Sequence, residues 1–323
     1  MTLLINALIF GAALFALIKA ANFITEAAIE ISKHFGLPRT VIGATIIALI
    51  TTLPETITAI MAGIQGHNNL GIGNAFGTPA ANIGLILGIT LILSNPQTKP
   101  HEIRQNIYIL LTTVLTIGYL YFGRTLGFRE GLLLITIAFV YLYQAGIQAY
   151  KHSHLSEKLL ARIDEQSYKL QGKQKWHVIK DLVLGGILLP IAAYSMTYAS
   201  INIANTIGIP DFLVGLTLIS IGTSLPEIAI AITLYIKKTQ DLSFGNLTGA
   251  SILTLTLALG ISLLFSPYTV SKSMVLFTFP FLLAILLSTL ALIRDGIESR
   301  IIGIMLVTWY IFFTLGNIFL NTL

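Results

Sequence analysis

The amino-acid sequence predicts an all-α membrane protein with ten transmembrane helices, arranged as two inverted repeats of five helices each. Two observations lead to this fold class. First, 55% of the 323 residues are hydrophobic and only 10% are charged, whereas a soluble domain has about 25% charged residues. Second, a stretch of the first half recurs in the second half without insertions or deletions.

The helices follow from the lengths of the apolar stretches, because a helix needs about 20 predominantly apolar residues to span a bilayer. The first half is predicted to contain helices at 3–32, 40–65, 70–93, 103–123 and 128–150. The second half is predicted to contain helices at 178–207, 212–236, 242–265, 272–293 and 299–320. The chain therefore divides into a first repeat at 1–150, a hydrophilic connector at 151–177 and a second repeat at 178–323.

The internal repeat is the strongest indication of the architecture. Residues 36–88 align with residues 208–260 without a gap, and 19 of the 53 aligned positions are identical. The constant shift that carries residue 36 onto residue 208 is called the repeat offset below. Because five crossings are an odd number, the two halves must enter the membrane from opposite sides. Inverted repeats of this kind are typical of secondary transporters, whose substrate sites lie at the repeat interface near the bilayer midplane.

The distribution of charge sets the expected orientation and excludes some partners. Of the 19 Lys and Arg residues, 15 fall in loops on one side of the predicted topology, and the positive-inside rule makes that side cytoplasmic. We therefore expect a cell-membrane protein with both termini outside and the 151–177 connector in the cytoplasm. The net charge of +5 is spread over loops, so no nucleic-acid partner is expected. The six histidines lie in or beside loops, where we expect them to be solvated.

Each repeat contains a polar motif within an apolar stretch, TTLPE at 51–55 and TSLPE at 223–227. A carboxylate at bilayer depth costs about 2.5 kcal/mol or more, so both glutamates indicate a functional site. The proline in each motif removes a helical hydrogen bond and predicts a break in the helix. Carboxylate, hydroxyl and freed carbonyl oxygens suit Ca²⁺, Na⁺ or Mg²⁺. The candidate ligands are Thr51, Thr52, Glu55, Thr223, Ser224 and Glu227.

A second pair of motifs supplies the facing wall of this site, GNAFGTPAAN at 73–82 and GNLTGASILT at 245–254. Small residues at Gly73 and Gly77 allow another helix to approach closely. Polar side chains recur every four residues and therefore share one helix face; they are Asn74, Thr78 and Asn82. In the second copy, Ala250 and Thr254 replace Thr78 and Asn82, so the two halves of the site are not equivalent.

Together these motifs resemble the cation/Ca²⁺ antiporter superfamily, most closely its prokaryotic Na⁺/Ca²⁺ exchanger branch. The resemblance implies exchange of Ca²⁺ for Na⁺ by alternating access, at ion sites between the second, third, seventh and eighth helices. It also implies that Glu55 and Glu227 bridge a central Ca²⁺ site and flanking Na⁺ sites, while Asn82 orients a carboxylate or a bound water. The further ligands that it implies are oxygens of Thr51, Thr223, Thr52, Ser224 and Thr78 and the carbonyls of Ala48 and Ser220.

The departures from this family pattern leave the coupling ion open. Ala250 lacks an expected hydroxyl, and Thr254 stands where an Asp or Asn is common, which leaves two carboxylates at the site. One Ca²⁺, two Na⁺ or two protons would neutralise them. Na⁺ is favoured, because Gly77 and Gly249 occupy the position at which proton-coupled relatives typically carry an acid. An exchanger of H⁺ for Ca²⁺ or for another divalent cation is the alternative, and a passive cation channel is a more distant one.

Several classes of activity are not predicted. The glutamates are accompanied by no nucleophile, metal-binding histidine set or cofactor motif, so we expect neither an enzyme nor a bound cofactor. Ca²⁺ and Na⁺, with H⁺ as the alternative, are therefore expected as transported substrates. The sequence contains no cysteine, which excludes disulfides and thiolate metal sites, and no obligate protein partner is indicated.

Overall fold

The computed structural model describes residues 2–34, 48–93, 100–121, 125–160, 172–236, 240–269, 271–294 and 299–322, and these residues are helical almost throughout. The α-helices of the first half are Thr2–His34, Ala48–Thr51, Leu53–Ile64, Asn68–Ala80, Leu87–Leu93, Pro100–Tyr121 and Phe128–Leu160. A π-helical turn at Ala81–Ile86 joins the fourth and fifth of these into one continuous helix. The helix start predicted at 40 lies outside the described residues.

The second half contains a corresponding series of helices. They are Gly172–Ile207, Asp211–Val214, Ser220–Thr223, Leu225–Ile236, Gln240–Leu253, Leu259–Phe265, Phe279–Arg294 and Ser299–Thr322. Three π-helical turns lie between them, at Gly215–Ile219, Thr254–Ala258 and Met274–Thr278. Two short antiparallel strands, Thr125–Leu126 and Tyr268–Thr269, pair one half with the other.

The predicted connector is helical at both of its ends. The helix Phe128–Leu160 continues beyond its predicted end at residue 150, and the helix Gly172–Ile207 begins before its predicted start at residue 178. No glycine or proline interrupts 151–171, so nothing in the local sequence ends the first helix at the membrane boundary. Residues 161–171 lie outside the described part of the chain.

The repeat offset recurs in the positions of the helices. The helices Ala48–Thr51 and Ser220–Thr223 end at matching positions. The helices Leu53–Ile64 and Leu225–Ile236 begin at matching positions, as do Leu87–Leu93 and Leu259–Phe265. The π-helical turns at Ala81–Ile86 and Thr254–Ala258 also lie at matching positions. The similarity of the two halves therefore extends from their motifs to the irregularities of their helices.

Close helix contacts are repeated in the same way. A Cβ atom added to Gly303 would lie 2.5 Å from the carbonyl oxygen of Gly88, and one added to Gly131 would lie 2.7 Å from that of Gly260. Gly260 and Gly303 are the counterparts of Gly88 and Gly131, respectively, at the repeat offset. The same backbone-to-backbone contact thus occurs twice, with the roles of the two halves exchanged.

The long helices Thr2–His34 and Gly172–Ile207 pack against each other. Leu17 and Ala20 from the first helix join Leu189, Ala193 and Met196 from the second in one hydrophobic cluster. This cluster is separate from the larger one that lies around the remaining helices. The cluster also contains Ala62, Leu70, Val214 and Ile219, so the helix pair packs against the helix Leu53–Ile64 and its neighbours.

The surface of the molecule is apolar, whereas polar groups lie inside. Large hydrophobic side chains such as Phe15, Leu276 and Phe319 are 64%, 77% and 64% exposed, while many Thr, Ser and Asn side chains are buried. Among the described residues, helices long and apolar enough to span a membrane are Thr2–Ala20, Asn68–Leu93, Phe128–Ile147, Trp176–Ile207, Asp211–Ile232, Ser243–Phe265 and Arg300–Asn321. Shorter apolar helices run over Ala48–Ile64, Asn106–Leu120 and Met274–Leu290. An apolar exterior of this extent requires lipid as its solvent.

Candidate cation site

Both TxLPE motifs break their helices at the same point. The helix Ala48–Thr51 ends before Thr52, and the next helix begins at Leu53 with the proline in its first turn. The second copy is broken at Ser224 in the same way. The backbone angles also agree, with φ −79° and ψ −9° at Thr52 and φ −81° and ψ 1° at Ser224. The prolines thus have the predicted effect, since neither can donate a hydrogen bond to the preceding turn.

The structure brings the candidate ligands into the interior of the helix bundle. Each of them is at most 1% exposed, and they come from the two broken helices and the two helices that carry the GN motifs. They are Ala48, Thr51, Thr52, Glu55, Thr78, Asn82, Ser220, Thr223, Ser224, Glu227 and Thr254.

The two glutamates form the electrostatic centre of this group. Glu55 and Glu227 are each fully buried in the first turn of a helix, and their carboxyl groups are close enough to repel each other. Among the described residues, none of their four carboxylate oxygens has a hydrogen-bond partner, and no buried Lys or Arg accompanies them. Buried charges without partners are strongly unfavourable. The pair therefore requires a cation or protons.

Each half of the site receives a hydrogen bond from the other half of the chain. Thr51 Oγ1 donates to Asn246 Oδ1 at 3.3 Å, and Thr223 Oγ1 donates to Asn74 Oδ1 at the same distance. Thr223 also lies beside Glu55, and Thr51 lies beside Glu227, although neither pair satisfies hydrogen-bond geometry. Glu55 therefore lies next to Thr223, which donates to Asn74, and Glu227 lies next to Thr51, which donates to Asn246. In both series the threonine belongs to the repeat opposite to that of the glutamate and the asparagine.

The other hydroxyls differ between the two halves. Thr52 Oγ1 donates to the carbonyl of Ala48 at 2.6 Å, and Thr254 Oγ1 donates to the carbonyl of Ala250 at 2.8 Å. The hydroxyl of Ser220 likewise donates to its own helix, whereas that of Ser224 has no partner among the described residues. The Thr52 and Thr254 hydroxyls can still accept a cation through their lone pairs, because only their protons are engaged.

Asn82 and Thr254 lie in the matching π-helical turns. Asn82 is the second residue of Ala81–Ile86, and Thr254 is the first residue of Thr254–Ala258. Both side chains are fully buried, and neither polar atom of the Asn82 amide has a partner in the described part of the chain. Single π-helical turns within α-helices are frequent at functional sites, because they redirect side chains locally.

The donor set is composed of oxygen atoms. No cluster of three or more His, Cys, Asp or Glu side chains able to hold a metal is found among the described residues. The available ligands are therefore two carboxylates together with hydroxyl, amide and carbonyl oxygens. Such a set fits hard cations of the Ca²⁺ or Na⁺ type, and not the transition metals that favour imidazole or thiolate.

Sequence reasoning did not identify two features that join the halves. Asn74 was predicted to share a polar helix face with Thr78 and Asn82, and Asn246 is its counterpart in the second GN motif, but their contacts with the threonines of the opposite repeat had no sequence signal. His67, expected to be solvated, is 28% exposed and lies 2.6 Å from Asp211, measured from Nδ1 to Oδ2. This second contact joins the turn after Ile64 to the start of the helix Asp211–Val214.

These features define an integral membrane protein with a buried oxygen-lined site at the interface of two similar halves. The family model described as "Sodium/calcium exchanger protein" matches residues 5–145 and 181–319. The sodium/calcium exchanger MaX1 of Methanosarcina acetivorans is 30% identical, and the alignment covers 96% of this chain and 97% of that protein. The chain belongs to the sodium/calcium exchanger family, and the resemblance seen in its motifs is confirmed.

Other relatives and a solved structure agree with this assignment. The putative antiporter CaxA of Alkalimonas amylolytica is 30% identical over 78% of each chain. A structure of the sodium–calcium exchanger NCX_Mj superposes with a TM-score of 0.70 at 23% identity, covering 96% of this chain and 97% of that one. At this identity the superposition establishes a shared fold. These three proteins, MaX1, CaxA and NCX_Mj, are exchangers or antiporters by name, which supports the prediction that this chain is not an enzyme.

Proposed function

We propose that this protein is a secondary active antiporter that exchanges Ca²⁺ for Na⁺ across the cell membrane. The observation that carries the proposal is the pair of fully buried carboxylates, Glu55 and Glu227, without hydrogen-bond partners among the described residues. Their charge of −2 is neutralised by one Ca²⁺ or by two Na⁺. Because both ions need the same carboxylates, one species must leave before the other can be carried, and this competition couples their movements.

The ligands proposed around the carboxylates are the buried oxygens contributed by both repeats. Thr51 and Thr223 lie beside the glutamates, and the carbonyls of Ala48 and Ser220 lie one turn earlier in the same broken helices. Remaining coordination is assigned to Thr52, Ser224, Thr78, Asn82 and Thr254. An all-oxygen set of this kind matches the six to eight oxygen ligands that Ca²⁺ prefers.

The proposed architecture has ten transmembrane helices in two inverted repeats, 1–150 and 178–323, joined by a cytoplasmic connector at 151–177. It is supported by the helix pairs that keep the repeat offset and by the reciprocal glycine contacts between the halves. The excess of basic residues on one side supports an orientation with both termini outside.

Alternating access is proposed to involve the two long helices, Thr2–His34 and Gly172–Ile207. Their hydrophobic cluster is separate from the main core and also contains Ala62, Leu70, Val214 and Ile219. Sliding of the pair over the site would therefore exchange contacts within this cluster and leave the main core packed. Such movement of one group of helices against another around a fixed site is the general mode of transporters with inverted repeats.

The function is tested by ⁴⁵Ca²⁺ uptake into proteoliposomes loaded with Na⁺, with choline-loaded vesicles for comparison. We expect uptake to require internal Na⁺ and to be abolished in Glu55→Gln and Glu227→Gln, because each change removes one of the two charges that the cations neutralise. Glu26→Gln is the matched control, since Glu26 is exposed on the helix Thr2–His34 and its loss should leave uptake unchanged. Equal uptake from choline-loaded vesicles would contradict Na⁺ coupling.

Exchange of H⁺ for Ca²⁺, or for another divalent cation such as Mg²⁺, is the second candidate. It is favoured by Ala250, which has no hydroxyl at the position of Thr78, and by Thr254, which stands where an Asp or Asn is common and leaves only two carboxylates at the site. Under this alternative, uptake would follow an imposed pH gradient without Na⁺ and would still depend on Glu55 and Glu227. Uptake independent of any counter-ion gradient would instead indicate a passive channel.

A further inference from the structure

Two buried asparagines outside the proposed ligand set occupy equivalent places in the two halves. Asn74 and Asn246 are counterparts at the repeat offset, and each is 1% exposed. Each uses Oδ1 to accept the hydroxyl of a threonine from the opposite repeat, and each Nδ2 has no partner among the described residues. An amide that only held two helices together would be expected to use both its donor and its acceptor.

The threonine hydroxyls have two possible acceptors. Thr51 Oγ1 lies 3.3 Å from both Asn246 Oδ1 and the carbonyl of Ala48, and Thr223 Oγ1 lies 3.3 Å from Asn74 Oδ1 and 3.4 Å from the carbonyl of Ser220. A hydroxyl has one proton to donate and two lone pairs. When the proton goes to the asparagine, the threonine oxygen keeps its lone pairs for a cation, while the carbonyls of Ala48 and Ser220 still accept the backbone N–H groups of Thr52 and Ser224.

We propose that Asn74 and Asn246 are positioning residues for ion binding, each orienting a threonine hydroxyl of the opposite repeat. By taking the hydroxyl proton, each amide turns the lone pairs of Thr223 or Thr51 toward the site. The inference rests on the proposed function only in assuming that the site binds a cation. It adds to the site two residues that act on the ion through the threonines and do not contact it themselves.

The two asparagines differ in the number of hydroxyls that they accept. Asn74 Oδ1 also accepts the hydroxyl of Thr78 at 3.4 Å, whereas Asn246 is followed four residues later by Ala250, which has no hydroxyl. Asn246 is therefore expected to act through Thr51 alone, and Asn74 through both Thr223 and Thr78.

The test is a set of double-mutant cycles, measured by equilibrium ⁴⁵Ca²⁺ binding to the full-length protein purified in detergent. We expect Asn246→Leu and Thr51→Val each to raise the Ca²⁺ Kd about tenfold, the effect of losing roughly one hydrogen bond to a charged site. The double variant should bind no more weakly than either single variant. In the other half, Asn74→Leu should retain an effect in the Thr223→Val background and lose it only when Thr78→Val is added.

The matched control is Asn317→Leu. Asn317 is also fully buried and accepts the hydroxyl of a threonine, Thr278, but it lies in the helix Ser299–Thr322. We expect this change to lower the unfolding temperature and to leave the Ca²⁺ Kd unaltered. In proteoliposomes, Asn246→Leu should raise the KM for Ca²⁺ while retaining most of the maximal rate, which a loss of folded protein would not do.

Additive effects of Asn246→Leu and Thr51→Val would overturn the inference, as would an equal loss of affinity in Asn317→Leu. If Asn246→Leu does not fold, the Asn74 cycles decide the question in the same way. The outcome is separable from that of the proposed function. If the effects on Ca²⁺ affinity are non-additive and uptake does not depend on Na⁺, the positioning role stands and Na⁺/Ca²⁺ exchange is contradicted. If uptake depends on Na⁺ and the effects on Ca²⁺ affinity are additive, exchange stands and the positioning role is contradicted.

Discussion

Substitution of Gly77 by alanine tests whether direct backbone contact between two helices sets the geometry of the site. A Cβ atom at Gly77 would lie 2.3 Å from the carbonyl oxygen of Leu216 and 2.6 Å from Ser220 Oγ. Neighbouring Gly73 and Gly215 are equally close to backbone atoms of the facing helix. A backbone oxygen cannot rotate away as a side chain can, so the helices themselves must separate.

The size of the effect follows from these distances. Real Cβ contacts do not fall below 3.0 Å, so Gly77→Ala must move the two helices apart by about 0.7 Å, a strain that typically costs about 1–3 kcal/mol. The bond from Thr223 Oγ1 to Asn74 Oδ1 joins the same two segments and is already 3.3 Å long. Lengthened to about 4 Å it is no longer a hydrogen bond. A misplacement on the order of 1 Å can lower the activity of a site by about 100-fold.

We therefore expect Gly77→Ala to lower both the unfolding temperature in detergent and the rate of ⁴⁵Ca²⁺ uptake, with uptake falling at least about tenfold. Gly186→Ala is the matched control, because nothing lies within 4 Å of a Cβ at Gly186 in the helix Gly172–Ile207. It should leave uptake unchanged and stabilise the helix slightly. Wild-type Ca²⁺ affinity and uptake in Gly77→Ala would refute the idea that this helix contact positions the ligands.

Two further predictions address the coupling ion and the orientation. Ala250→Ser supplies the hydroxyl missing from the second half, so we expect it to lower the Na⁺ concentration for half-maximal exchange several-fold. Thr78→Ala removes the corresponding hydroxyl of the first half and should raise this concentration. An unchanged Na⁺ dependence in both variants would show that these positions do not contribute to Na⁺ binding. Because the chain has no cysteine, single cysteines report the topology directly. In intact cells an impermeant maleimide should label Asn69→Cys, whereas His177→Cys should react only after permeabilisation, and the opposite pattern would invert the proposed orientation.

Much of the fold could be predicted because lipid imposes simple rules on a sequence. A chain that crosses a bilayer must keep its backbone hydrogen-bonded, so each long apolar stretch becomes a helix. Breaks can then be located from proline, and those at Thr52 and Ser224 lie where Pro54 and Pro226 indicated. The extension of the helix Phe128–Leu160 was not predicted. Its polar residues indicate where the chain leaves the bilayer, but without a glycine or proline they do not indicate where the helix ends.

The candidate site was predictable in composition and only partly in its connections. Glu55, Thr51 and their counterparts stand out because polar residues are rare in such apolar stretches. The pairing of Thr51 with Asn246, and of Thr223 with Asn74, depends on how the halves pack, and no local pattern encodes packing between segments 195 and 149 residues apart. The His67–Asp211 contact was missed for the same reason, since each residue by itself resembles an ordinary polar residue of a loop.

The two halves are matched in charge and unmatched in their other oxygens, and this difference bears on coupling. Glu55 and Glu227 are equally buried and equally without partners among the described residues, so a divalent ion between them should draw on both. By contrast, Asn74 accepts two hydroxyls, whereas Asn246 accepts one. The Asn82 amide has no hydrogen-bond partner among the described residues, whereas its counterpart Thr254 donates to its own helix. A monovalent ion depends more on such neutral oxygens, because it gains less from each carboxylate. We therefore expect the helix segment 240–265, rather than the carboxylates, to determine which ion is exchanged for Ca²⁺.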